Sequence, residues 1–163
     1  MKKILAVIII AVVMCQSVTK GEEPENLYAR AAILIDADSG RILYGKNENE
    51  KRKMASTTKI MTSLIVIENC NLNDVVSVPY EAISNIPSGY SIVPLQTDEQ
   101  ITVDQLLRVL MVHSANDAAN VLAYHLDGSI SAFAERMNAK LSVLGLKDSH
   151  FTNPSGQHDE NHY

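Results

Sequence analysis

The chain has 163 residues, of which 46% are hydrophobic and 20% are charged, a composition typical of a folded globular domain. Its net charge of −5 offers no basic surface for nucleic acid. The sequence has no tryptophan and only two phenylalanines, so base-stacking platforms are not expected either. We therefore expect one domain without a nucleic-acid partner.

The N-terminus is typical of a secretory signal. Lys2 and Lys3 precede an apolar run over Ile4–Met14, which is too short to span a bilayer comfortably and matches the apolar part of a signal peptide. We predict a signal peptide over residues 1–20, cleaved near residues 17–23. The protein is therefore expected to be exported.

A β-hairpin is predicted after a polar linker. Residues 31–35 form an apolar strand, residues 36–40 read Asp-Ala-Asp-Ser-Gly and predict a turn, and residues 41–44 form the return strand. Because every position of the first strand is apolar, we expect it to be buried on both faces, which a lone hairpin cannot achieve. The pattern therefore predicts neighbouring strands that the sequence does not obviously contain.

Helices dominate the sequence after a charged loop over residues 46–53. Apolar residues on more than one face of Thr57–Asn69 predict a largely buried helix. Thr102 and Gln105 fit a capping box that begins a second helix. The remaining predictions are a strand over residues 75–78, a loop over 84–94, and helices over 117–126 and 130–144, the last ended by Gly145.

Ser56 and Lys59 lie three residues apart at the start of the first predicted helix. Side chains at this spacing share one helix face, so the hydroxyl and the amine can meet. A serine hydroxyl needs a neighbouring base, and a lysine amine can serve once burial or nearby positive charge lowers its pKa. The spacing fits part of an acyl-transfer site, and on its own it also fits an N-cap serine with a solvated lysine.

Ser114 and Asn116 form a second motif just before another predicted helix. Penicillin-recognising serine enzymes combine Ser-x-x-Lys with Ser-x-Asn or a close variant, and with Lys-Thr-Gly. The sequence resembles the serine D-alanyl-D-alanine carboxypeptidases, the low-molecular-mass penicillin-binding proteins, from about Tyr28 to Tyr163. The stretches that carry the resemblance are MASTTKIMT at residues 54–62, SANDAA at 114–119 and LGLKDSHFTNPSG at 144–156.

The resemblance implies an α/β fold of the β-lactamase/transpeptidase type, an antiparallel sheet flanked by a helical region, here with an incomplete sheet. It implies Ser56 as the acyl-ester nucleophile, Lys59 as its proton acceptor, Ser114 as a proton relay and Asn116 as a substrate-binding residue. The implied substrate is a peptidoglycan stem peptide ending in D-Ala-D-Ala, and β-lactam antibiotics would acylate the same serine. The implied location is the extracytoplasmic cell envelope, and no cofactor is expected.

The sequence contains no Lys-Thr-Gly after Asn116. In the family this motif lies on a late strand, which holds the substrate carboxylate and gives the second oxyanion donor. We therefore expect residues 24–163 to be the N-terminal part of a carboxypeptidase domain, truncated at its C-terminal end and weakly active. An inactive remnant stays the alternative. Membrane contact would need an uncleaved signal or a C-terminal anchor that this sequence lacks.

Two further alternatives concern the kind of site. A class A β-lactamase is disfavoured because no Glu-x-x-Leu-Asn follows Asn116. His158 and His162 flank Glu160, but the pattern is not His-Glu-x-x-His, so no metal is predicted. Asp117 is interpreted as a first-turn acid that suits the helix dipole. The family resemblance implies that His162 and Tyr163 begin a following helix.

Overall fold

The computed structural model describes residues 27–163. The chain divides into two compact units, with the boundary after Glu50. The predicted signal peptide and its cleavage site fall outside the described residues. Within the described part of the chain, no helix has both the length and the apolar character needed to cross a membrane.

The first unit is the predicted hairpin. Strand β1 (Ala32–Ile35) pairs antiparallel with strand β2 (Ile42–Lys46). In the turn, Gly40 adopts a φ of +69° and its N–H donates to the Asp36 carbonyl at 2.9 Å. The expectation that β1 is buried on both faces is wrong for this unit, where its isoleucines and leucine are exposed, because a two-stranded ribbon covers neither face.

The second unit begins with a 3₁₀ turn over Ala55–Thr57 that leads into helix α1 (Thr58–Asn69). On one side of α1, Ile65 and Val66 are fully buried in the core. On the other side, Ile60, Leu64 and Ile67 are exposed. The predicted helix is therefore confirmed, but its largely buried character is wrong for the outer face.

A second small sheet follows. Strand β3 (Val75–Ser77) pairs antiparallel with strand β4 (Gln100–Thr102), and the short helix α2 (Tyr80–Ile83) lies between them in sequence. The β3 prediction is confirmed, whereas α2 and β4 were not predicted. The described strands form two separate two-stranded sheets, which agrees with the expected incomplete sheet.

Three longer helices complete this unit, and each begins within a few residues of its predicted start. They are α3 (Val103–Val112), α4 (Asn116–Asp127) and α5 (Ile130–Val143). The capping box of α3 is confirmed: the Gln105 N–H donates to Thr102 Oγ1 at 3.2 Å, and the Thr102 N–H donates to Gln105 Oε1 at 3.0 Å.

The core lies around α4, which packs against α1, α3 and α5. Alanines on α4 are fully buried, and their small side chains allow the neighbouring helices to approach closely. Phe133 and Met137 of α5 fill the space beside them and are also fully buried. This packing fixes the beginning of α1 against the beginning of α4, and those are the places where the two sequence motifs lie.

Candidate active site

The four predicted site residues meet where α1 and α4 begin. Ser114 Oγ donates a hydrogen bond to Ser56 Oγ at 2.9 Å. Lys59 Nζ lies 3.3 Å from Ser56 Oγ and 2.8 Å from Asn116 Oδ1. Ser56 itself is exposed, so its hydroxyl is open to a substrate. The geometry therefore connects a reachable hydroxyl with an amine, a second hydroxyl and a carboxamide.

Neither serine acts as a helix cap. The N-cap positions are Met54 for the 3₁₀ turn, Thr57 for α1 and Ala115 for α4. Ser114 adopts a φ of +58°, a left-handed conformation that is unfavourable for a residue with a side chain. Such strain costs about 1–3 kcal/mol and persists only where the surrounding structure imposes it. Here it directs the Ser114 hydroxyl towards Ser56.

Lys59 is almost fully enclosed, with 2% of its surface exposed. Its Nζ donates to the Ser155 carbonyl oxygen at 2.7 Å as well as to Asn116 Oδ1. Burial penalises the charged ammonium and lowers the pKa of Lys59 from 10.5 to about 8. About one-tenth of the side chain is therefore the neutral amine at pH 7, far more than for a solvated lysine.

The two carbonyl-type acceptors determine what the neutral amine can do. Oxygens of an amide can only accept, so Asn116 Oδ1 and the Ser155 carbonyl each require an N–H from Lys59. A neutral amine has two N–H groups and one lone pair, and both N–H groups are thereby used. The lone pair remains for Ser56, whose hydroxyl is the third neighbour of Nζ. The arrangement can therefore accept a proton from the Ser56 hydroxyl.

A part of the site that sequence reasoning missed comes from residues 151–163, here called the clasp segment. It packs on residues 54–62, here called the nucleophile segment. Thr62 Oγ1 donates to the Pro154 carbonyl at 2.7 Å, next to the Lys59 contact with Ser155. A Cβ atom on Gly156 would lie 1.8 Å from the Ala55 carbonyl oxygen, so only glycine allows this approach.

Asn153 shapes the turn that presents these carbonyls. Its Oδ1 accepts from the backbone N–H groups of Gly156 at 2.8 Å and Gln157 at 3.0 Å. That His162 and Tyr163 begin a following helix stays a prediction; in the structure His150 and Tyr163 exchange two backbone hydrogen bonds. Backbone carbonyls leave no signal in sequence; the signals for this segment are the family resemblance over residues 144–156 and the Asn-Pro-Ser-Gly turn residues within it.

Asp117 does more than the predicted first-turn acid. Its side chain is buried, and its carboxylate accepts from the backbone N–H groups of Val93 at 3.0 Å and Leu95 at 3.3 Å. The N–H of the preceding Asn116 donates to the Ser91 carbonyl at 2.8 Å. Asp117 therefore anchors the loop before β4 beside the site. In the sequence, the signal for this role was the position of the acid directly before the buried alanines of α4.

The histidines that suggested a metal make other contacts. His158 Nε2 lies 3.2 Å from Lys53 Nζ, which also donates to Glu160 at 2.9 Å on the surface. The ring of His162 lies 2.7 Å from the Thr58 hydroxyl in the interior. Over residues 27–163, no group of three or more His, Cys, Asp or Glu side chains could hold a metal ion.

The family model described as D-alanyl-D-alanine carboxypeptidase matches residues 17–163. The chain therefore belongs to the D-alanyl-D-alanine carboxypeptidase family. It is 39% identical over 140 residues to the D-alanyl-D-alanine carboxypeptidase DacF of Bacillus subtilis, covering 83% of this chain and 35% of that protein.

Solved structures confirm the expected fold. Penicillin binding protein 5 from Haemophilus influenzae superposes with a TM-score of 0.81 at 34% identity, over 88% of this chain and 43% of that one. The D-alanyl-D-alanine carboxypeptidase DacD from Francisella tularensis gives a TM-score of 0.78 at 31% identity, over 85% of this chain and 34% of that one. The fold is thus the α/β transpeptidase type, and the chain spans less than half the length of these relatives.

Proposed function

We propose that the chain carries the acylation machinery of a serine-type D-Ala-D-Ala carboxypeptidase, with Ser56 as the nucleophile. The observation that carries this proposal is the environment of Lys59, whose two N–H groups are taken by Asn116 and Ser155. Its lone pair is thereby left for Ser56. The relatives DacF and DacD are themselves named D-alanyl-D-alanine carboxypeptidases, which supports the same reaction class.

In the proposed acylation, Ser56 Oγ attacks the carbonyl carbon of the penultimate D-alanine while Lys59 Nζ takes the hydroxyl proton. The negative charge that forms on the carbonyl oxygen needs hydrogen-bond donors, and the backbone N–H of Ser56 is one candidate. The lowered pKa of Lys59, about 8, suits a general base that works near neutral pH. The products of this step are a tetrahedral intermediate and a protonated lysine.

Collapse of the intermediate requires a proton on the departing terminal D-alanine. Ser114, whose Oγ lies 2.9 Å from Ser56 Oγ, is proposed to give its proton to the leaving nitrogen and to recover the proton that Lys59 took. The C–N bond breaks, an ester to Ser56 remains, and Lys59 returns to its neutral state. Water then hydrolyses the ester by the same proton path in reverse. Asn116 is proposed to bind the substrate amide while it also holds Lys59.

The proposed substrate is a peptidoglycan stem peptide that ends in D-Ala-D-Ala, with β-lactams as reactive analogues. The Haemophilus relative is named penicillin binding protein 5, which supports the proposal for β-lactams. The same proposal places the mature protein outside the cytoplasm. Lys2, Lys3 and the apolar run over Ile4–Met14 support export. Contact with the membrane would be made through an uncleaved signal or a separate anchor.

The test is labelling of the purified chain with a fluorescent penicillin, followed by D-alanine release from diacetyl-lysyl-D-alanyl-D-alanine. We expect Ser56→Ala to abolish labelling, whereas Ser131→Ala on the exposed start of α5 should label normally. Undiminished labelling of Ser56→Ala would refute the assignment.

Turnover of the peptide is expected to be low, because the sequence has no Lys-Thr-Gly after Asn116 to hold the substrate carboxylate. A longer form that includes such a segment should release D-alanine faster. Loss of one oxyanion donor alone typically costs about 10²–10³ in turnover. Equal turnover of the two forms would show that the carboxylate pocket lies within the chain described here.

A further inference from the structure

His162 is a buried side chain that the proposed mechanism does not use. Only 3% of its surface is exposed, and both ring nitrogens have partners. Nε2 lies 2.7 Å from Thr58 Oγ1, and the backbone N–H of Thr152 donates to Nδ1 at 3.1 Å. The ring thus lies between the nucleophile segment and the first residues of the clasp segment.

These contacts fix the protonation state of the ring. A backbone N–H can only donate, so Nδ1 must carry a lone pair, and the neutral ring therefore carries its hydrogen on Nε2. Nε2–H then donates to the Thr58 hydroxyl. A protonated ring would place an N–H at Nδ1 against the N–H of Thr152.

The groups around the ring favour the neutral form. Burial lowers the pKa of His162, and the nearby positive charge that His150 carries when protonated lowers it further. The carboxylate of Asp159 raises the pKa of His162, but by less than burial lowers it. The ring edge also contacts Phe151, with the ring centroids 5.5 Å apart. Burial of the ring and its hydrogen bonds therefore both favour the neutral imidazole.

The position of the two partners connects the ring to the reacting groups. Thr58 lies between the nucleophile and the base in the sequence and is 1% exposed. Thr152 precedes the turn whose Ser155 carbonyl holds the Lys59 amine. Lys59 gains and loses a proton in each proposed cycle, so its own contact with that carbonyl changes strength. The bond from His162 to Thr58 involves no reacting atom and keeps its strength throughout.

We propose that His162, as a neutral Nε2–H imidazole, is a positioning residue that sets the Lys59 amine against Ser56 by joining the clasp segment to the nucleophile segment. This inference rests on the proposed function only for its kinetic consequence. Its structural consequence, the environment of Lys59, is independent of whether the chain turns over a substrate.

Two substitutions distinguish the contribution of Nε2 from that of Nδ1. His162→Gln places an amide nitrogen near the Nε2 position and can still donate a hydrogen bond to Thr58. His162→Asn reaches only the Nδ1 position and loses the hydrogen bond to Thr58. Thr58→Val removes the hydroxyl that accepts this hydrogen bond and keeps the shape of the side chain. It therefore removes the His162–Thr58 hydrogen bond from the other side. His158→Gln is the control, because its ring lies on the surface of the same segment.

The primary measurement is an NMR titration of the full chain labelled with ¹³C at lysine Cε, with the Lys59 signal identified by its loss in Lys59→Met. In His162→Asn and in Thr58→Val, we expect the pKa of Lys59 to rise from about 8 towards its ordinary value as water reaches the amine. His162→Gln and His158→Gln should keep the wild-type value. The rate of acylation by penicillin at pH 7 should fall about tenfold in His162→Asn and Thr58→Val and stay unchanged in the other two variants.

Thermal unfolding of each variant checks that it is folded. An unchanged pKa of Lys59 in folded Thr58→Val or folded His162→Asn would overturn the proposal, as would equal pKa shifts in His162→Gln and His162→Asn. A wild-type chain that does not react with penicillin would refute the proposed function alone, because the titration of Lys59 would still decide whether His162 positions the amine.

Discussion

The nucleophile segment, residues 54–62, and the clasp segment, residues 151–163, contribute to the site in different ways. The first supplies the reactive side chains, Ser56 and Lys59, at a spacing that one helical turn brings together. The second supplies backbone carbonyls, with the Ser155 carbonyl held by a lysine 96 residues earlier in the chain.

The reactive groups therefore come from one segment, and part of what holds them in place comes from the other. The spacing of Ser56 and Lys59 would place a hydroxyl near an amine in any helix. It would not by itself bury the amine or direct its lone pair. Those properties come from Asn116 and Ser155, which belong to other segments. We therefore expect changes in the nucleophile segment to remove the reaction and changes in the clasp segment to loosen its geometry.

The largest expected effect is that of Lys59→Met. The substitution removes the base and keeps an unbranched side chain of similar length, so penicillin acylation should fall by about 10²–10⁴. The fold should persist, because the buried ammonium is replaced by an apolar group. Rate constants from fluorescent-penicillin labelling, with circular dichroism of the folded state, measure both. Lys147→Met, at an exposed lysine, is the control, and a Lys59→Met protein that acylates at the wild-type rate would contradict the assignment.

A large loss of stability is expected from Gly156→Ala in the clasp segment. The new Cβ would collide with the Ala55 carbonyl oxygen, and the φ of +80° adds strain. We expect unfolding free energy to fall by about 3 kcal/mol or more. Gly145→Ala is the matched control, since its φ is +73° and nothing lies within 4 Å, and left-handed strain alone costs about 1–2 kcal/mol. Equal losses in urea titrations would show that the close approach is not required.

The pH dependence of acylation tests the burial of the amine. The reactive form of Lys59 is the neutral amine. Because its pKa is lowered to about 8, the acylation rate should fall as the pH drops below about 8. The neutral fraction at pH 7 is then roughly one-tenth, and the rate should rise about tenfold between pH 7 and pH 9 and approach a plateau. A rate that still climbs tenfold per pH unit at pH 9 would indicate an ordinary, solvated lysine.

The smallest expected effect is that of Thr62→Val, which removes one bond between the two segments. The buried hydroxyl donates to the Pro154 carbonyl, and its loss should cost about 1–2 kcal/mol of unfolding free energy. Thr57→Val, whose hydroxyl is exposed, should stay within about 0.5 kcal/mol of wild type. If both variants lose the same stability, the contact with Pro154 is not special.

The sequence predicted the local features of this molecule well. The hairpin, the capping box at Thr102 and the helices α4 and α5 follow from patterns within a few residues, and so does the Ser56–Lys59 pair. The exposed face of α1 was not predicted, because an apolar pattern does not state whether a partner is present to cover it. The predicted roles of the four site residues stay predictions, although the structure brings their side chains together.

Long-range contacts made by the backbone could not be predicted. The Ser155 carbonyl, the clash that Gly156 avoids and the Asp117 anchor of Val93 and Leu95 all depend on how distant segments pack. A carbonyl oxygen has no residue type, and a buried aspartate looks like any first-turn acid until its partners are known. His162 shows the same limit, since the sequence alone does not indicate its contacts with Thr58 and Thr152.

The central claim is that Ser56 is the group acylated. Trypsin cuts after Lys53 and Lys59, so Ser56 lies on the short peptide of residues 54–59, while Ser114 lies on residues 109–136. After reaction with penicillin at pH 8, mass spectrometry should find the adduct on residues 54–59, with fragmentation placing it on Ser56, and none on residues 109–136. An adduct on the Ser114 peptide, or one that persists in Ser56→Ala, would contradict the account.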